Sequence, residues 1–505
     1  MARYKHTDVE NGQGIFLTVN LQEQLLPETF EYMLNDLIGK KIDVSMFDQN
    51  YKNDVTGSRA IPPAALIKLI IYGYSKGIKS SRKLMALSNE NMIAKALTGD
   101  MEPHWTTIAD FISSNGEKFQ EIFVKVLAYC NELGLVGGKT FAIDGLRLPS
   151  NASIDMSGTK AELENKLSMY RRMAEKHVSK HRSQDAAGEK SKEEKQHYED
   201  RQKYLNRQIE KISDFFEKME QRKGQSRQEI KSNITDNESA MIMSGSGFLQ
   251  GYIGIAVSDN TNQIIVGAEA VGSANEGEHF PEILDKTLSN MKEAGVKKKS
   301  NGSKLAFLAD ANYFSEDNLR VCHERKVEAI IPDSQYRRRL GVGNERRYEA
   351  ADFEYHKRGN YYKCLYGKRL EYKHSRKKIL GGSEGKVYQA SVKDCRPCPL
   401  NGRCLRTKKD IKKWVGRQLL ITKSNDPGSL CGEMRKKLST EEYQNRYAYR
   451  IQIVEPVFAN IKNCKGLDRF TLRGNGKVNG QWKLYCIVHN LSKCLKGYNK
   501  GEESA

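Results

Sequence analysis

The sequence contains no long apolar run and no leader-like beginning. No stretch approaches the roughly 18 consecutive apolar residues that indicate a membrane-spanning helix. The opening Met-Ala-Arg-Tyr-Lys-His is not followed by the apolar core of a secretory signal. These absences predict a soluble, cytoplasmic protein with no membrane partner.

Paired cysteine spacings, which are typical of a small secreted scaffold, are also largely missing. Six of the ten cysteines stand alone in the chain, as expected of reduced, buried thiols in a cytosolic protein. The six are Cys130, Cys322, Cys431, Cys464, Cys486 and Cys494. A framework of disulfide bonds is therefore not predicted.

Acidic residues are in short supply relative to basic ones. The chain has 63 Asp and Glu against 83 Lys and Arg, which gives a net charge of +20. An excess of this size predicts a polyanionic partner, and nucleic acid is the most common one. The length of 505 residues, of which 38% are hydrophobic, predicts about two to four domains with a sizeable core.

The first region predicted is a compact helical domain over residues 1–137. From Pro62 to about Leu135, apolar residues recur at helical spacing. A strand-length apolar run from Gly14 to Asn20 precedes them, and its role is not evident from the sequence.

Two aspartates each follow a short apolar strand. Asp144 ends the run Lys-Thr-Phe-Ala-Ile and is followed by glycine, and Asp310 ends the run Lys-Leu-Ala-Phe-Leu-Ala. Between them the pattern predicts hairpin strands and a helix from Phe280 to Glu293. Strand ends that lead into loops are where sheets present catalytic groups, although Asp-Gly is also an ordinary turn. We predict a mixed sheet over residues 138–158 and 234–335.

A polar insertion interrupts this sheet over residues 159–233. From Thr159 to Lys223 the composition turns to Lys, Glu, Arg and Gln with sparse apolar positions, and Ala186-Ala-Gly188 breaks the pattern near its middle. This pattern predicts two long helices in an antiparallel hairpin that projects from the body. Its charge is that of a solvated face or, alternatively, of a surface that contacts DNA.

A later stretch places one carboxylate, Glu455, beside an apolar helical stripe. At about 100° per residue, five apolar residues share one face. They are Tyr447, Ile451, Val454, Phe458 and Ile461. Glu455 and Lys462 lie two turns apart at the edge of this face, and Pro456 predicts a helix start or a kink at Glu455. Alone, the pattern would also describe a surface Glu-Lys pair.

A basic, tyrosine-rich segment covers residues 336–440 and holds the remaining four cysteines. Cys395 and Cys398 form a pair with two intervening residues, Cys404 follows, and Cys364 is a candidate fourth ligand. This spacing is typical of a structural Zn²⁺ site. The alternative is a set of reduced thiols inside a β-rich insertion, because a second cysteine pair is absent.

The candidate catalytic residues are the carboxylates Asp144, Asp310 and Glu455. Two of them are predicted at adjacent strand ends and the third on a helix packed over the strands, and such a cluster of negative charge favours hard divalent cations. Two Mg²⁺ ions about 4 Å apart, or Mn²⁺ in their place, would support phosphoryl transfer on a polyanion. Backbone phosphates would be held by Tyr447, Arg450 and Lys462.

These motifs resemble those of the bacterial insertion-sequence DDE transposases, a group with an RNase H-like core and a Tyr-Arg-Glu-Lys signature around the last acid. The resemblance spans about residues 60–495. It rests on Ala142-Ile-Asp144-Gly, on Asn233-Ile-Thr-Asp236 followed by Gly251-Tyr, on Leu308-Ala-Asp310-Ala-Asn-Tyr-Phe, on Arg450 through Val454-Glu455-Pro-Val-Phe-Ala-Asn-Ile-Lys462, and on Arg469-Phe-Thr-Leu-Arg473-Gly with His489-Asn490-Leu. The last of these is the most specific.

The resemblance implies an α/β fold with an RNase H-like mixed sheet flanked by helices. Together with the patterns above, it predicts an all-helical N-terminal domain for terminal-repeat DNA, a helical-hairpin insertion and a β-rich Cys-containing insertion. The end of the catalytic core is expected over residues 441–495, followed by a frayed polar tail over 496–505.

The resemblance also implies residue roles. Asp144, Asp310 and Glu455 would form the metal-binding catalytic triad. The accompanying residues are Tyr447, Arg450 and Lys462, and further candidate DNA contacts are Arg469 and Arg473. Four residues separate Arg450 from Glu455, where the commoner signature has three, so the role of Arg450 carries over less directly than that of Glu455.

The implied activity is Mg²⁺-dependent cleavage at the terminal inverted repeats of an insertion sequence and transfer of the cut ends to target DNA. A homodimer associated with the nucleoid is the expected working form. Two alternatives stay open on the sequence alone. One is an RNase H-like nuclease without strand transfer, and the other is a DNA-binding protein that kept the fold and lost catalysis.

Overall fold

The computed structural model describes most of the chain. The described residues are 20–51, 59–185, 192–218, 222–223, 229–245, 247–296, 304–342, 347–377, 384–405, 416–422, 426 and 428–502. Apart from Asn20, the strand-length run predicted near the N-terminus lies outside them. Within these ranges no helix is both long enough and apolar enough to cross a membrane.

Helices fill the described residues before position 137, as the apolar spacing predicted. They are α1 (Phe30–Asp36), α2 (Pro63–Ser75), α3 (Ser81–Glu90), α4 (Met92–Thr98), α5 (Trp105–Ser114) and α6 (Lys118–Glu132). Helix α2 begins at Pro63, because the fixed φ of proline suits the first turn and its missing N–H has no partner there anyway. Its residues from Leu69 to Tyr74 are all buried, so α2 is the central helix of this region.

Strand β1 (Thr140–Pro149) leads into two long helices that are joined at their base by a short ribbon. The ribbon pairs β2 (Ser157–Gly158) with β3 (Ser232–Asn233). Between these strands, α7 (Lys160–Asp185) and α8 (Lys192–Lys218) pack against each other. Their buried side chains, such as Leu205 and Ile212, do not belong to the main hydrophobic core. The sparse apolar residues therefore hold the two helices together rather than filling the sheet.

A mixed sheet forms the centre of the molecule. Its further elements are β4 (Ala240–Ser244), β5 (Gly247–Asp259), β6 (Ile265–Val271), α9 (Phe280–Glu293), β7 (Ala306–Leu308), α10 (Glu316–Glu324) and β8 (Glu328–Ile330). The strand order is β4-β5-β1-β7-β8, and β6 also pairs with β5. Strand β5 is antiparallel to β1, β4 and β6, whereas β1, β7 and β8 run parallel to one another. The predicted hairpin is β5 and β6, and α9 has the predicted bounds.

A second, smaller sheet follows. Its elements are α11 (Tyr336–Arg339), β9 (Glu354–His356), β10 (Tyr361–Lys363), β11 (Arg369–Arg376), β12 (Gly385–Ala390), α12 (Val392–Cys395), α13 (Asn401–Cys404) and β13 (Gln418–Ile421). The strands are antiparallel, in the order β13-β12-β11-β10-β9. This sheet has a core of its own, built around Phe353, Tyr362, Leu370 and Tyr388. The segment is β-rich, as predicted.

Three helices close the fold: α14 (Leu430–Lys437), α15 (Glu441–Ala459) and α16 (Asn475–Glu502). Pro456 lies inside α15, which excludes the predicted helix start at Glu455, while the alternative of a kink there stays a prediction. A second prediction is wrong. Helix α16 continues past residue 495 to Glu502, where a frayed tail was predicted, because Tyr498 is buried and donates to Asp36 Oδ2 at 3.2 Å.

Candidate active site

The register of the mixed sheet brings Asp144 and Asp310 side by side. Strands β1 and β7 pair in parallel up to Ala142 and Leu308. Two residues further along each strand stand Asp144 and Asp310, and an even step keeps both side chains on one face. Asp310 follows the end of β7 as predicted. The prediction that Asp144 ends its strand is wrong, because the later residues of β1 continue to pair with β5.

Short hydrogen bonds fix both carboxylates. Asp144 Oδ1 accepts from the Gly145 N–H at 2.9 Å. Asp310 Oδ1 accepts from the Asn312 backbone N–H at 2.8 Å, and its Oδ2 accepts from Asn312 Nδ2 at 3.1 Å. Burial and the neighbouring Asp144 raise the pKa of Asp310. The nearby arginines, Arg450 and Arg147, lower this pKa but do not cancel the effect of burial and of the Asp144 charge.

A third carboxylate, Glu276, is buried beside this pair, and sequence reasoning missed it. Its side chain, in the short 3₁₀ turn before α9, is only 4% exposed. Its Oε1 accepts from Asn312 Nδ2 at 2.9 Å, and its Oε2 accepts from the Tyr313 hydroxyl at 3.3 Å. Burial, together with the Asp310 and Asp144 carboxylates, raises the pKa of Glu276 to about 7 although the Asn312 bond lowers it. Asn312 thus bridges Glu276 and Asp310.

A glycine at position 145 is the sequence signal that points to this neighbour. A Cβ on Gly145 would collide with Glu276 Oε2 and would lie 2.5 Å from Ile253 Cγ2. Glycine inside a strand often marks a place where another group approaches closely. The Asp-Gly pair, which also suited a turn, is instead part of a continuous strand against which Glu276 packs.

Helix α15 brings two residues of the Tyr-Arg-Glu-Lys segment to the aspartates. The helix packs on β1 and β5. Arg450 Nη1 donates to Asp144 Oδ2 at 2.8 Å, and the buried Arg450 Nε has no hydrogen-bond partner among the described residues. One turn earlier, the Tyr447 ring meets the Tyr336 ring edge-on at 5.4 Å, and burial raises the Tyr447 pKa.

A second guanidinium, Arg147, contributes positive charge to the same cluster. It lies on β1, and its Nη1 donates to the Met243 carbonyl at 3.0 Å. Its Nη2 is 3.7 Å from Glu276 Oε1. Arg147 therefore approaches the acids from the strand, whereas Arg450 approaches them from the helix.

Glu455 occupies the exposed side of α15. The buried residues of this helix are Ile453, Val454 and Val457, whereas Ile451, predicted on the apolar face, is 47% exposed. Lys462 is exposed in the turn after the helix, and no ion pair between Glu455 and Lys462 is formed in the described structure. No three His, Cys, Asp or Glu side chains within the described ranges are arranged to hold a metal ion. Glu455 therefore does not complete a three-acid cluster in this structure.

Arg469 and Arg473, predicted as DNA contacts, make hydrogen bonds within the fold. Arg469 Nη2 donates to the Ser150 carbonyl at 2.9 Å, and Arg473 Nε donates to the Asn151 carbonyl at 2.7 Å. The Phe470 N–H donates to the Pro149 carbonyl at 2.9 Å. These bonds attach the segment before α16 to the end of the strand that carries Asp144.

Other motif residues connect the same parts of the core. Buried Asp236 accepts from the Tyr252 hydroxyl at 2.8 Å and from the Gly474 N–H at 3.2 Å. Asn490 accepts from and donates to the backbone of Ile265, at 2.8 Å each, so it binds the edge of β6. Burial lowers the pKa of His489 to about 4, and its Nε2 lies 2.9 Å from the Gln263 carbonyl. These residues hold the sheet and α16 in register.

The four clustered cysteines are brought together in the second sheet. Their side chains line one cavity of about 30 Å³, and the four are Cys364, Cys395, Cys398 and Cys404. None of them forms a disulfide bond.

Two family models match the chain, one near each end of the sequence. Residues 363–495 match the family described as "Transposase DDE domain", and residues 19–114 match "Transposase domain (DUF772)". No curated protein and no solved structure matches it. Two segments of the chain are therefore similar to domains of transposases. The matches also confirm the resemblance to the insertion-sequence DDE transposases, whose signature helix and final motifs fall inside the first match.

Proposed function

We propose that this protein is a DNA transposase that binds the terminal inverted repeats of an insertion sequence, cleaves the strands at its ends and transfers them to target DNA. The observation that carries the proposal is the juxtaposition of Asp144 and Asp310 on neighbouring parallel strands, with Arg450 bound to Asp144. The two transposase-domain matches support it independently.

The sheet supports an RNase H-like assignment of the core. Strands β6, β5 and β1 are successive antiparallel neighbours, and β7 and β8 continue the sheet in parallel on the other side of β1. Parallel neighbours require crossover connections, and helices α9 and α10 provide them. This order places one acid on the central strand and another just after its parallel neighbour.

Mg²⁺, replaceable by Mn²⁺, is the cofactor that suits these side chains. Carboxylate oxygens are the ligands that hard divalent cations prefer. Burial and the neighbouring Asp144 raise the pKa of Asp310, and a bound cation would favour its charged form. We propose Asp144, Asp310 and Glu455 as the ligands; Glu455, which does not form a cluster with the aspartates in this structure, would have to approach them when metal and DNA bind. Two bound ions would activate the attacking oxygen and stabilise the leaving oxygen in phosphoryl transfer.

Arg450 is proposed to orient the DNA backbone at this site. It makes one hydrogen bond to Asp144 and keeps a buried Nε without a partner among the described residues. An unpaired buried N–H is unfavourable, and a phosphate oxygen would satisfy it with a charge-assisted bond. Tyr447 packs one turn away and fixes the position of the helix against Tyr336.

Glu276 is proposed as a positioning residue rather than a ligand. It is almost completely buried, and it reaches Asp310 through Asn312, whose side chain donates to both acids. Glu276 thereby holds Asn312 in the orientation that fixes Asp310. Glu455, on the exposed side of α15, is open to solvent and to DNA.

The charge of the chain supports DNA as the substrate. A net charge of +20 favours phosphate contacts that strengthen at low salt. We propose that the N-terminal helices bind the terminal repeats. Lys462, Arg469 and Arg473, which are exposed, are proposed to contact the DNA backbone near the cut. The working form is proposed to be a homodimer, with one active site for each end of the element.

The proposal is tested with DNA from the two flanks of the reading frame. A supercoiled plasmid that carries both flanks is incubated with purified protein and Mg²⁺, and a second plasmid serves as target. Strand cuts at the element's ends and covalent joining to the target are expected, and both should disappear with EDTA. Protein carrying Asp310→Asn is the matched control.

Each other outcome selects an alternative. Cleavage without joining would indicate an RNase H-like nuclease. Salt-sensitive binding to the flanking DNA without any cleavage would indicate a DNA-binding protein that has lost catalysis. Cleavage that the Asp310→Asn protein retains would contradict the site assignment.

A further inference from the structure

Four thiols from three separate segments meet at one small cavity in the second sheet. Cys364 follows β10, Cys395 and Cys398 belong to the segment of α12, and Cys404 ends α13. All four line the cavity of about 30 Å³. A space of this size accommodates one water-sized or ion-sized particle. Sequence spacing alone did not show that Cys364 reaches the other three.

Backbone turns present two of these sulfur atoms to N–H donors. The Gly367 N–H donates to the Cys364 carbonyl at 2.8 Å, and the left-handed Gly367 (φ 78°) then allows the Lys368 N–H to donate to Cys364 Sγ at 3.3 Å. The Arg417 N–H donates to Cys395 Sγ at 3.4 Å. Hydrogen bonds from backbone N–H groups stabilise a sulfur that carries negative charge.

The cavity is lined by apolar and by charged side chains. Leu370, Ala390 and Leu405 form its apolar part. Lys368, Asp394 and Arg417 also line it, and Lys368 Nζ is 3.6 Å from Asp394 Oδ1. A bound divalent cation would replace the thiol protons, and Lys368 and Arg417 would offset part of the negative charge of the resulting complex.

The small core of this sheet explains why a cross-link would be useful there. Among the described residues, eight buried side chains form that core, and Cys364, Cys395 and Cys404 pack at its edge. Small cores of this kind usually need a disulfide or a metal to be stable. All four cysteines are free thiols, so a disulfide does not provide this link.

We propose that Cys364, Cys395, Cys398 and Cys404 bind one structural Zn²⁺ ion that joins β10, α12 and α13. The thiols are not yet arranged around a common centre in the described structure. Binding therefore requires them to turn toward the cavity that they already share, and each sulfur releases its proton to solvent as it binds the metal. The inference concerns the stability of the second sheet and does not depend on transposition.

Elemental analysis of the full-length protein, purified without chelator from cells grown with added zinc, tests the proposal. About one zinc ion per chain is expected. Cys398→Ser should reduce bound zinc at least tenfold, whereas Cys464→Ser, at an exposed cysteine outside the cavity, should leave it unchanged. Equal zinc in the two variants would overturn the proposal.

Cobalt provides a test that needs no variant. The parent protein, unfolded, stripped of metal and refolded with Co²⁺, should show the strong charge-transfer absorption of cobalt–thiolate bonds and the visible bands of a tetrahedral ion. Zinc below about a tenth of an equivalent, with no such bands, would leave a set of reduced thiols. Titration of two fewer thiols than the ten cysteines, without metal, would show a disulfide instead.

Discussion

The mixed sheet and the second sheet place their functional side chains in different ways. Asp144 and Asp310 stand on paired strands within a core that extends through the N-terminal helices, α15 and α16. The four cysteines stand on turns and very short helices, beside a core in which eight buried side chains are described. Backbone register therefore positions the acids before any ion binds, whereas the thiols would be fixed in place by the proposed Zn²⁺ ion.

The acids of the mixed sheet and the cysteines of the second sheet are also expected to affect stability in opposite directions. Buried acids that repel one another reduce the stability of a fold, and a large core can tolerate that effect. A cysteine cluster at the edge of a small core has the opposite role, because metal binding adds to folding free energy. We expect substitutions in the mixed sheet to remove activity while the fold survives. Substitutions in the cysteine cluster should lower stability first.

The largest effect is expected from Asp144→Asn and Asp310→Asn. Each removes one ligand charge with little change in volume, and loss of several kcal/mol of electrostatic stabilisation corresponds to at least about a hundredfold slower Mg²⁺-dependent cleavage. Glu455→Gln should behave in the same way. Cleavage of flanking DNA is measured together with binding, which should keep its salt dependence, and with zinc content, which should not change.

Lys462→Ala is the matched control on the same helix segment, and it should slow cleavage only partially, because one phosphate contact is among many. If Glu455→Gln cut DNA at the parental rate, the third ligand would have to be sought elsewhere, and Glu276 would be the first candidate. If the aspartate variants lost zinc or failed to fold, the two sheets would not be independent.

The next effect concerns the buried charge of Glu276. The folded protein keeps this proton up to a pKa of about 7, whereas the unfolded chain releases it near 4.5, the ordinary pKa of a glutamate. More protons are then bound in the folded state, so stability falls as pH rises through that window. Glu276→Gln should remove this loss and gain on the order of 3 kcal/mol relative to the parent between pH 4.5 and 8 in EDTA. Denaturant unfolding at several pH values measures it.

Glu278→Gln, two residues away and on an exposed side chain, is the control for that series and should show no such trend. A constant difference between Glu276→Gln and the parent across the pH range would mean that the Glu276 carboxylate is not held protonated by the fold.

Gly145→Ala should destabilise the mixed sheet by about 1–3 kcal/mol, because the added methyl group meets Glu276 Oε2 and Ile253 Cγ2. Combining it with Glu276→Ala should recover part of the loss, since the carboxylate is one of the two obstructing groups. Gly476→Ala is the control for an added methyl group, because a Cβ there meets no atom within 4 Å and Gly476 has no positive φ. Additive effects in the Gly145 and Glu276 pair would contradict the contact.

The smallest effect is expected from shortening the helical hairpin. Replacing residues 171–203 by a short Gly/Ser loop leaves the base with its buried Leu163, Leu205 and Ile212 in place. No buried side chain described in the hairpin belongs to the main core. Removing its distal part should therefore change the free energy of unfolding by less than about 0.5 kcal/mol. Loss of a cooperative unfolding transition, or aggregation, would show that the distal hairpin packs on the core.

Much of the fold was predictable because its elements follow local patterns. The helix from Phe280 to Glu293 and the β5–β6 hairpin depend on apolar periodicity and turn residues, which short stretches of sequence reveal. The neighbouring positions of Asp144 and Asp310 were predictable because each follows a short apolar strand, and strand ends that lead into loops are where sheets present catalytic groups. The same reasoning placed Asp144 at a strand end, because pairing with β5 is not visible locally.

The parts that sequence did not reveal depend on contacts between distant residues. Glu276 reaches the acids only because a glycine in β1 leaves room for it. The hydrogen bonds of Arg469 and Arg473 to the carbonyls of Ser150 and Asn151 join positions more than 300 residues apart in the chain, so no local pattern reveals them. Ile451 is exposed because α15 turns Ile453 and Val454 toward the sheet instead.

Helix α16 has a consequence for how the protein is made. Its Tyr485 stacks on Tyr74 of α2, its Cys494 Sγ lies 3.3 Å from Cys130 Sγ of α6, and its Trp482 donates to the Ile255 carbonyl of β5. This helix leaves the ribosome after every other element of the structure. Until α16 is synthesised, the N-terminal helices and the sheet therefore expose the apolar faces that it covers. A translation product that stopped before Asn475 would leave the cores of both regions unfinished.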